Sequence, residues 1–118
     1  GTAEWRTPEA RKALEAASDW VGYGLYLDLA ADVRRDQKQH RFALGEETER
    51  VRYALNLAAE GRTVALISSG DPGIYAMATL VFELLEREAQ PEWAPVAAHP
   101  SPETTAQLLP ISPRLLVS

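Results

Sequence analysis

Cysteine is absent from these 118 residues, which excludes disulfides, thiolate zinc sites and cysteine nucleophiles. Histidine is nearly absent: His40 and His99 are too few and too scattered to build a metal centre. No run of about eighteen uninterrupted apolar residues occurs. The opening GTAEWRTPEA lacks a basic segment followed by a greasy one. Neither membrane spanning nor secretion is therefore expected, and a cytoplasmic location fits. Positive charge is also scarce, with 12 Lys and Arg against 17 Asp and Glu and a net charge of -5. That balance opposes attraction to a phosphate backbone, so nucleic acid is not an expected partner. What is present is a globular mixture, 46% hydrophobic and 25% charged, able to form a packed core in one compact domain.

Thr7-Pro8-Glu9 supplies a hydroxyl cap, a proline for the first helical position and a carboxylate for the first turn. A helix is predicted from Thr7 to Ser18, with Ala10, Ala13, Leu14 and Ala17 on its packed face. Trp20 to Tyr23 reads as a brief strand running into a glycine-flexed loop at Gly22 and Gly24, followed by a short helix from Leu25 to Ala31. Arg34 to Arg41 is polar and basic, and Phe42-Ala43-Leu44 reads as a weak strand or connector ending at Gly45. Glu46 to Glu60 carries a helical stripe of Val51, Ala54, Leu55 and Ala58, with Gly61 as its stop. Thr63 to Ile67 lacks polar alternation, as in a central parallel strand buried on both faces. After a break at Ser68 to Gly73, a helix is predicted over 74–88. Six of the eight prolines lie beyond Ala89. They forbid a long element there, leaving a short strand at Val96 to Ala98, a helical turn over Thr104 to Leu109, and last residues without order. The fold class expected is α/β, a mostly parallel sheet sandwiched by helices.

Chemistry is expected at S-S-G-D-P-G-I-Y, between a buried strand and a helix, because open parallel sheets bind ligands beyond the carboxyl ends of their strands. Gly70 and Gly73 permit close approach or positive φ, the helix start offers unpaired N–H groups, and Asp71 adds a carboxylate. By pattern alone the segment is equally a capped turn. The Walker A, G-x-G-x-x-G and G-x-S-x-G patterns do not occur, so kinase, dehydrogenase and hydrolase readings have no motif behind them. His40 and His99 have no carboxylate at helical spacing and read as surface or hydrogen-bonding residues. Trp5, Trp20 and Trp93 read as packing anchors, and Met77 as core.

S-S-G-D-P-G-I-Y-A-M-A, together with V-G-Y-G-L-Y-L and A-L-N-L-A-A-E-G-R-T-V-A-L-I-S-S-G, resembles the tetrapyrrole methylase family from Gly1 to about Trp93. Gly1 resembles the last glycine of that family's first G-x-G-P-G loop, and H-P-S-P-E-T-T-A-Q resembles a degraded V-x-P-G-[IV]-[ST]-A segment in which Glu103 stands at the glycine position. The resemblance implies the N-terminal α/β domain of a two-domain enzyme, with the first strand and the second domain missing here. Residues 1–98 are then a partial domain, and 99–118 a proline-rich tail leading into the inter-domain segment. It further implies methyl transfer from S-adenosylmethionine to carbon 17 of precorrin-3B with ring contraction, in cobalamin biosynthesis, and a homodimer. A noncatalytic cofactor-binding or assembly module derived from the family is the alternative. Carried across, Ser69, Gly70, Asp71 and Ile74 would contact the cofactor, with Gly1, Thr105 and Ala106 as further contacts. Arg34, Arg35 and Tyr23 would face the substrate. The positive run Arg34, Arg35, Lys38, His40 and Arg41 suits the carboxylates of a precorrin, and equally suits a solvated connector. No general base and no metal ligand is assigned.

Overall fold

The computed structural model describes residues 8–68, 70–88, 90–96, 109–110 and 115–117. The chain runs through α1 (Pro8–Ala16), β1 (Asp19–Tyr23), α2 (Gly24–Leu29), a 3-10 turn (Ala31–Val33), β2 (Lys38–Phe42) and α3 (Glu47–Ala59). It continues with β3 (Val64–Ile67), α4 (Gly70–Glu88), a second 3-10 segment (Pro91–Val96), β4 (Leu109–Pro110) and β5 (Leu115–Val117). The strands form one sheet in the order β2-β1-β3-β5-β4, parallel except where β4 meets β5.

Side chains alternate across the sheet and define two cores. Val21, Val64, Leu66, Leu115 and Val117 point to the face covered by α3, α4 and Trp93. Trp20, Ala65 and Ile67 point to the other face, covered by Leu14 of α1, by Ala17 just after it, and by Leu27, Ala30 and Val33. All four residues of β3 are buried, as the unbroken apolar run requires of a central strand. The α/β sandwich expected from the sequence is the fold observed.

Two buried indole N–H groups are satisfied locally. Trp20 Nε1 donates to the Leu14 carbonyl at 2.9 Å, and Trp93 Nε1 to Asn56 Oδ1 at 2.6 Å. Gln37 Nε2 donates to the carbonyls of Leu14 and Glu15, taking up acceptors left over at the end of α1. Gly61, at φ +97°, ends α3. There the Gly61 and Arg62 N–H groups return to the carbonyls of Ala58 and Leu57, the Schellman pattern.

Several expectations are corrected. Gly22 lies inside β1 and Gly24 opens α2, so neither forms a loop. Both are places of close approach: a Cβ on Gly22 would stand 2.9 Å from the Ile67 carbonyl oxygen, and one on Gly24 2.8 Å from Arg41 Nη2. The basic stretch is a strand. Lys38–Phe42 pairs only with β1 among the described strands, and an edge strand held by its backbone tolerates the polar side chains that hid it from pattern reading. Gly70 to Gly73 is the first turn of α4 rather than a loop, since Pro72 there gives up an N–H that has no partner within the helix. Gly73 accordingly is not among the glycines at positive φ. Val96 belongs to a 3-10 segment, Leu109 to a strand, and the chain end to the sheet, with Leu115 and Val117 fully buried. Trp5, Ala97, Ala98, His99 and residues 104–108 lie outside the described residues.

Candidate functional site

From β1 the chain moves outward to β2, then returns to the opposite side of β1 to make β3. The direction of winding therefore reverses between β1 and β3, and the crevice beyond their carboxyl ends is a topological switch point. There Gly22 pairs with Ile67, Tyr23 leads into α2, and Ser68 leads toward α4. A cavity of about 130 Å³ opens at this end, lined by Tyr26, Leu44, Glu47, Arg50, Ile67, Ser68, Gly73, Ala76 and Met77. Its walls come from α2, from the start of α3 and its preceding turn, from the end of β3 and from α4. The floor is apolar, through Ile67 and Met77, and one wall carries a buried cation. Arg50 is 4% exposed, although it stands in the first turns of α3.

The sequence-predicted residues fall in different places. Gly70 and Asp71 lie in the first turn of α4, at the crevice end of the sheet. Ile74, 2% exposed, packs in the core with Val21 and Leu66. Tyr23 ends β1 at the same edge, its ring edge-on to Tyr26 at 5.2 Å between centroids. Gly1, Ser69, Thr105 and Ala106 lie outside the described residues. Arg34 and Arg35 precede β2, whose first residue is level with Asp19 at the start of β1; they sit at the opposite end of the sheet. Arg35 there binds Glu15 at 3.0 Å. The basic run is thus dispersed and largely matched by carboxylates: Arg41 forms a bidentate pair with Asp28 at 3.0 and 3.1 Å, and its hydrogen bonds hold the Asp28 carboxyl below its ordinary value.

His40 has the carboxylate partner that helical spacing did not show. Its Nε2 lies 2.8 Å from Asp19 Oδ2, and its Nδ1 2.9 Å from the Tyr53 hydroxyl. Asp19 is fully buried and also accepts from Ser18 Oγ at 2.7 Å and Arg62 Nε at 2.8 Å. Burial pushes the Asp19 carboxyl up, but the hydrogen bonds from Arg62, His40 and Ser18 outweigh it and bring it below the ordinary aspartate value. This cluster is at the amino ends of the strands, away from the crevice, and ties β1, β2, α3 and the α3–β3 connection together. It was missed because its members pair across strands, where sequence separation carries no signal. Arg50 was missed too: it reads as one more polar position on an amphipathic helix.

A parallel sheet with a glycine-bearing helix start beside a crevice at its switch point makes this an open α/β domain, with its crevice where sheets of that class bind ligands. The chain belongs to the tetrapyrrole (corrin/porphyrin) methylases, whose family model matches residues 1–114. It is 43% identical to the cobalamin biosynthesis protein CobIJ of Mycobacterium tuberculosis over 106 residues, 90% of this chain and 20% of that protein. It is 39% identical to the precorrin-3B C(17)-methyltransferase of a Sinorhizobium species, over 92% of this chain and 42% of the relative. A crystal structure of the methyltransferase CobJ matches with a TM-score of 0.66 and 44% identity, covering 80% of this chain and 38% of that one. The chain thus spans between a fifth and about two-fifths of the length of these proteins.

Proposed function

We propose that this chain is part of an S-adenosylmethionine-dependent methyltransferase acting on carbon 17 of precorrin-3B, with ring contraction, in cobalamin biosynthesis. The observation that carries this reading is the similarity, across 92% of the chain, to an enzyme named for that step. The first turn of α4 from Gly70 to Gly73, at the crevice end of the sheet, supports it, as does a cavity there that joins an apolar floor to a buried cation.

The residues present fit such a cofactor in part. Small-molecule sites typically enclose upward of about 300 Å³, so the cavity holds a fragment of a ligand of this size. When bound, S-adenosylmethionine supplies a methyl group already activated on a sulfonium. The chain's own contribution is positioning, which by itself can supply much of the acceleration. In this reading Ser69, Gly70 and Asp71 hold the cofactor, Ile74 backs them from the core, Gly1, Thr105 and Ala106 lie on its further side, and Tyr23 faces the substrate. The early N–H groups of α4 lack partners within the helix and are suited to acceptor atoms of a ligand. No general base is assigned.

A homodimer is the proposed assembly, supported by Leu25, Leu29 and Leu44, which are large, apolar and exposed. The cytoplasm is the proposed location; among the described residues no helix is long and apolar enough to cross a membrane. Calorimetry with S-adenosylhomocysteine on the full-length protein tests the cofactor, and mass spectrometry of precorrin-3B after turnover tests the methyl gain. Asp71→Ala is expected to weaken the cofactor by about 1.5–3 kcal/mol, one charge-assisted hydrogen bond. A full-length protein that prefers an ordinary nucleotide to S-adenosylhomocysteine would refute the reading.

A further inference from the structure

Arginine offers five donors and cannot shed its charge, so a buried one is normally surrounded by acceptors. Arg50 is not. Its side chain is 5% exposed, its Nε is shut from solvent with no hydrogen-bond partner among the described residues, and its Nη2 meets Glu47 Oε1 at 3.7 Å, beyond hydrogen-bonding reach. Nε and Nη2 together form the side-on fork that grips a carboxylate bidentately. Two residues along the same helix, Arg52 shows that fork filled, with Nε and Nη2 on the two oxygens of Glu88 at 3.0 and 2.5 Å. From its own helix Arg50 receives a long contact with Glu47, and the helix dipole opposes it. It is the fourth residue of α3, near the positive end of the helix, where a cation is disfavoured. Packing alone gives no reason to keep a guanidinium there, yet Arg50 and Glu47 both line the cavity at the switch point.

We propose that Arg50 anchors a ligand carboxylate that enters this cavity and takes the Nε–Nη2 edge side-on. Glu47 is 44% exposed and too distant to fill the fork, so it stands as a placeholder that turns to solvent when the ligand arrives. Two carboxylate sources fit the chemistry: the amino-acid end of the methyl donor, and an acetate or propionate arm of the macrocycle. The inference rests on the proposed function, whose ligands bear both.

The test titrates three probes by calorimetry against the full-length protein, Arg50→Met and Arg50→Lys. S-Adenosylhomocysteine carries the amino-acid carboxylate, 5′-methylthioadenosine lacks it, and uroporphyrin III presents the carboxylates of a macrocycle. If the donor is the source, Arg50→Met weakens S-adenosylhomocysteine by at least about tenfold and leaves 5′-methylthioadenosine within about twofold. If the macrocycle is the source, uroporphyrin III alone weakens to that extent. In either case Arg50→Lys recovers only part of the loss, because an ammonium is a point charge without the fork. Ligand-free Arg50→Met is expected to melt at or above the wild-type temperature, since it removes a buried charge whose Nε is unsatisfied and whose contact with Glu47 is long. Unchanged affinity for S-adenosylhomocysteine and uroporphyrin III overturns the proposal. So does a lowered melting temperature with equal losses for all three probes, which would mark Arg50 as structural. A wild type that binds neither S-adenosylhomocysteine nor uroporphyrin III removes the proposed function together with this inference, whereas wild-type binding of either with an indifferent Arg50→Met removes only the inference.

Discussion

Replacing Asp19 by alanine removes a fully buried carboxylate that accepts from Ser18, His40 and Arg62 at 2.7–2.8 Å. Breaking a buried ion pair from one side costs about 3–5 kcal/mol, because the partners are left without a counter-charge. Here the Arg62 side chain is 35% exposed and recovers part of its solvation, while His40 is only 18% exposed. The expected loss is therefore at the lower end, about 2–4 kcal/mol at pH 7, with Asp19→Asn intermediate. Denaturant melts followed by circular dichroism measure it. The pH dependence gives a second, independent check. The folded carboxyl is held below its ordinary value by these hydrogen bonds, so its contribution is complete above about pH 4 and is lost as pH falls through the folded pKa. The wild-type and Asp19→Ala stability curves must therefore converge in acid. A loss below about 0.5 kcal/mol at pH 7, or a gap that does not close on acidification, would refute the reasoning.

Leu66→Asp is expected to cost several kcal/mol and to prevent folding, since the position is fully buried in the central strand; an unchanged melting temperature would exclude that placement. Gly22→Ala drives a Cβ to 2.9 Å from the Ile67 carbonyl and should lower stability by about 1–3 kcal/mol through separation of β1 from β3, measured by chemical denaturation. Gly61→Ala forces alanine to φ +97° at the end of α3 and should cost about 1 kcal/mol, with faster amide exchange in the last turn of that helix. Trp93→Phe keeps most of the packing but strands Asn56 Oδ1, for a loss of about 1 kcal/mol.

What the sequence determined by itself is what depends on neighbours along the chain. The apolar stripes of α1 and α3, the Gly61 stop and the doubly buried run of β3 are local patterns, and local backbone geometry reads them the same way in any fold. The S-G-D-P-G segment was legible for a similar reason, as a motif continuous in the chain. Only tertiary structure could decide whether Lys38–Phe42 pairs as a strand, because an edge strand is held by the backbone of β1 and its own side chains need not alternate. The same applies to Leu115 and Val117, which the proline-rich composition of the tail argues against and which pair along β3 with partners 51 positions earlier in the chain. Gly22 reads in the sequence as part of a flexed loop and in the fold is a close contact, since its lack of a side chain matters only once Ile67 lies beside it. Asp19 with His40 and Arg62, and the unfilled fork of Arg50 beside the crevice, are likewise products of proximity in space. Charges separated along the chain have no fixed interaction until the fold sets their distance and removes the water between them.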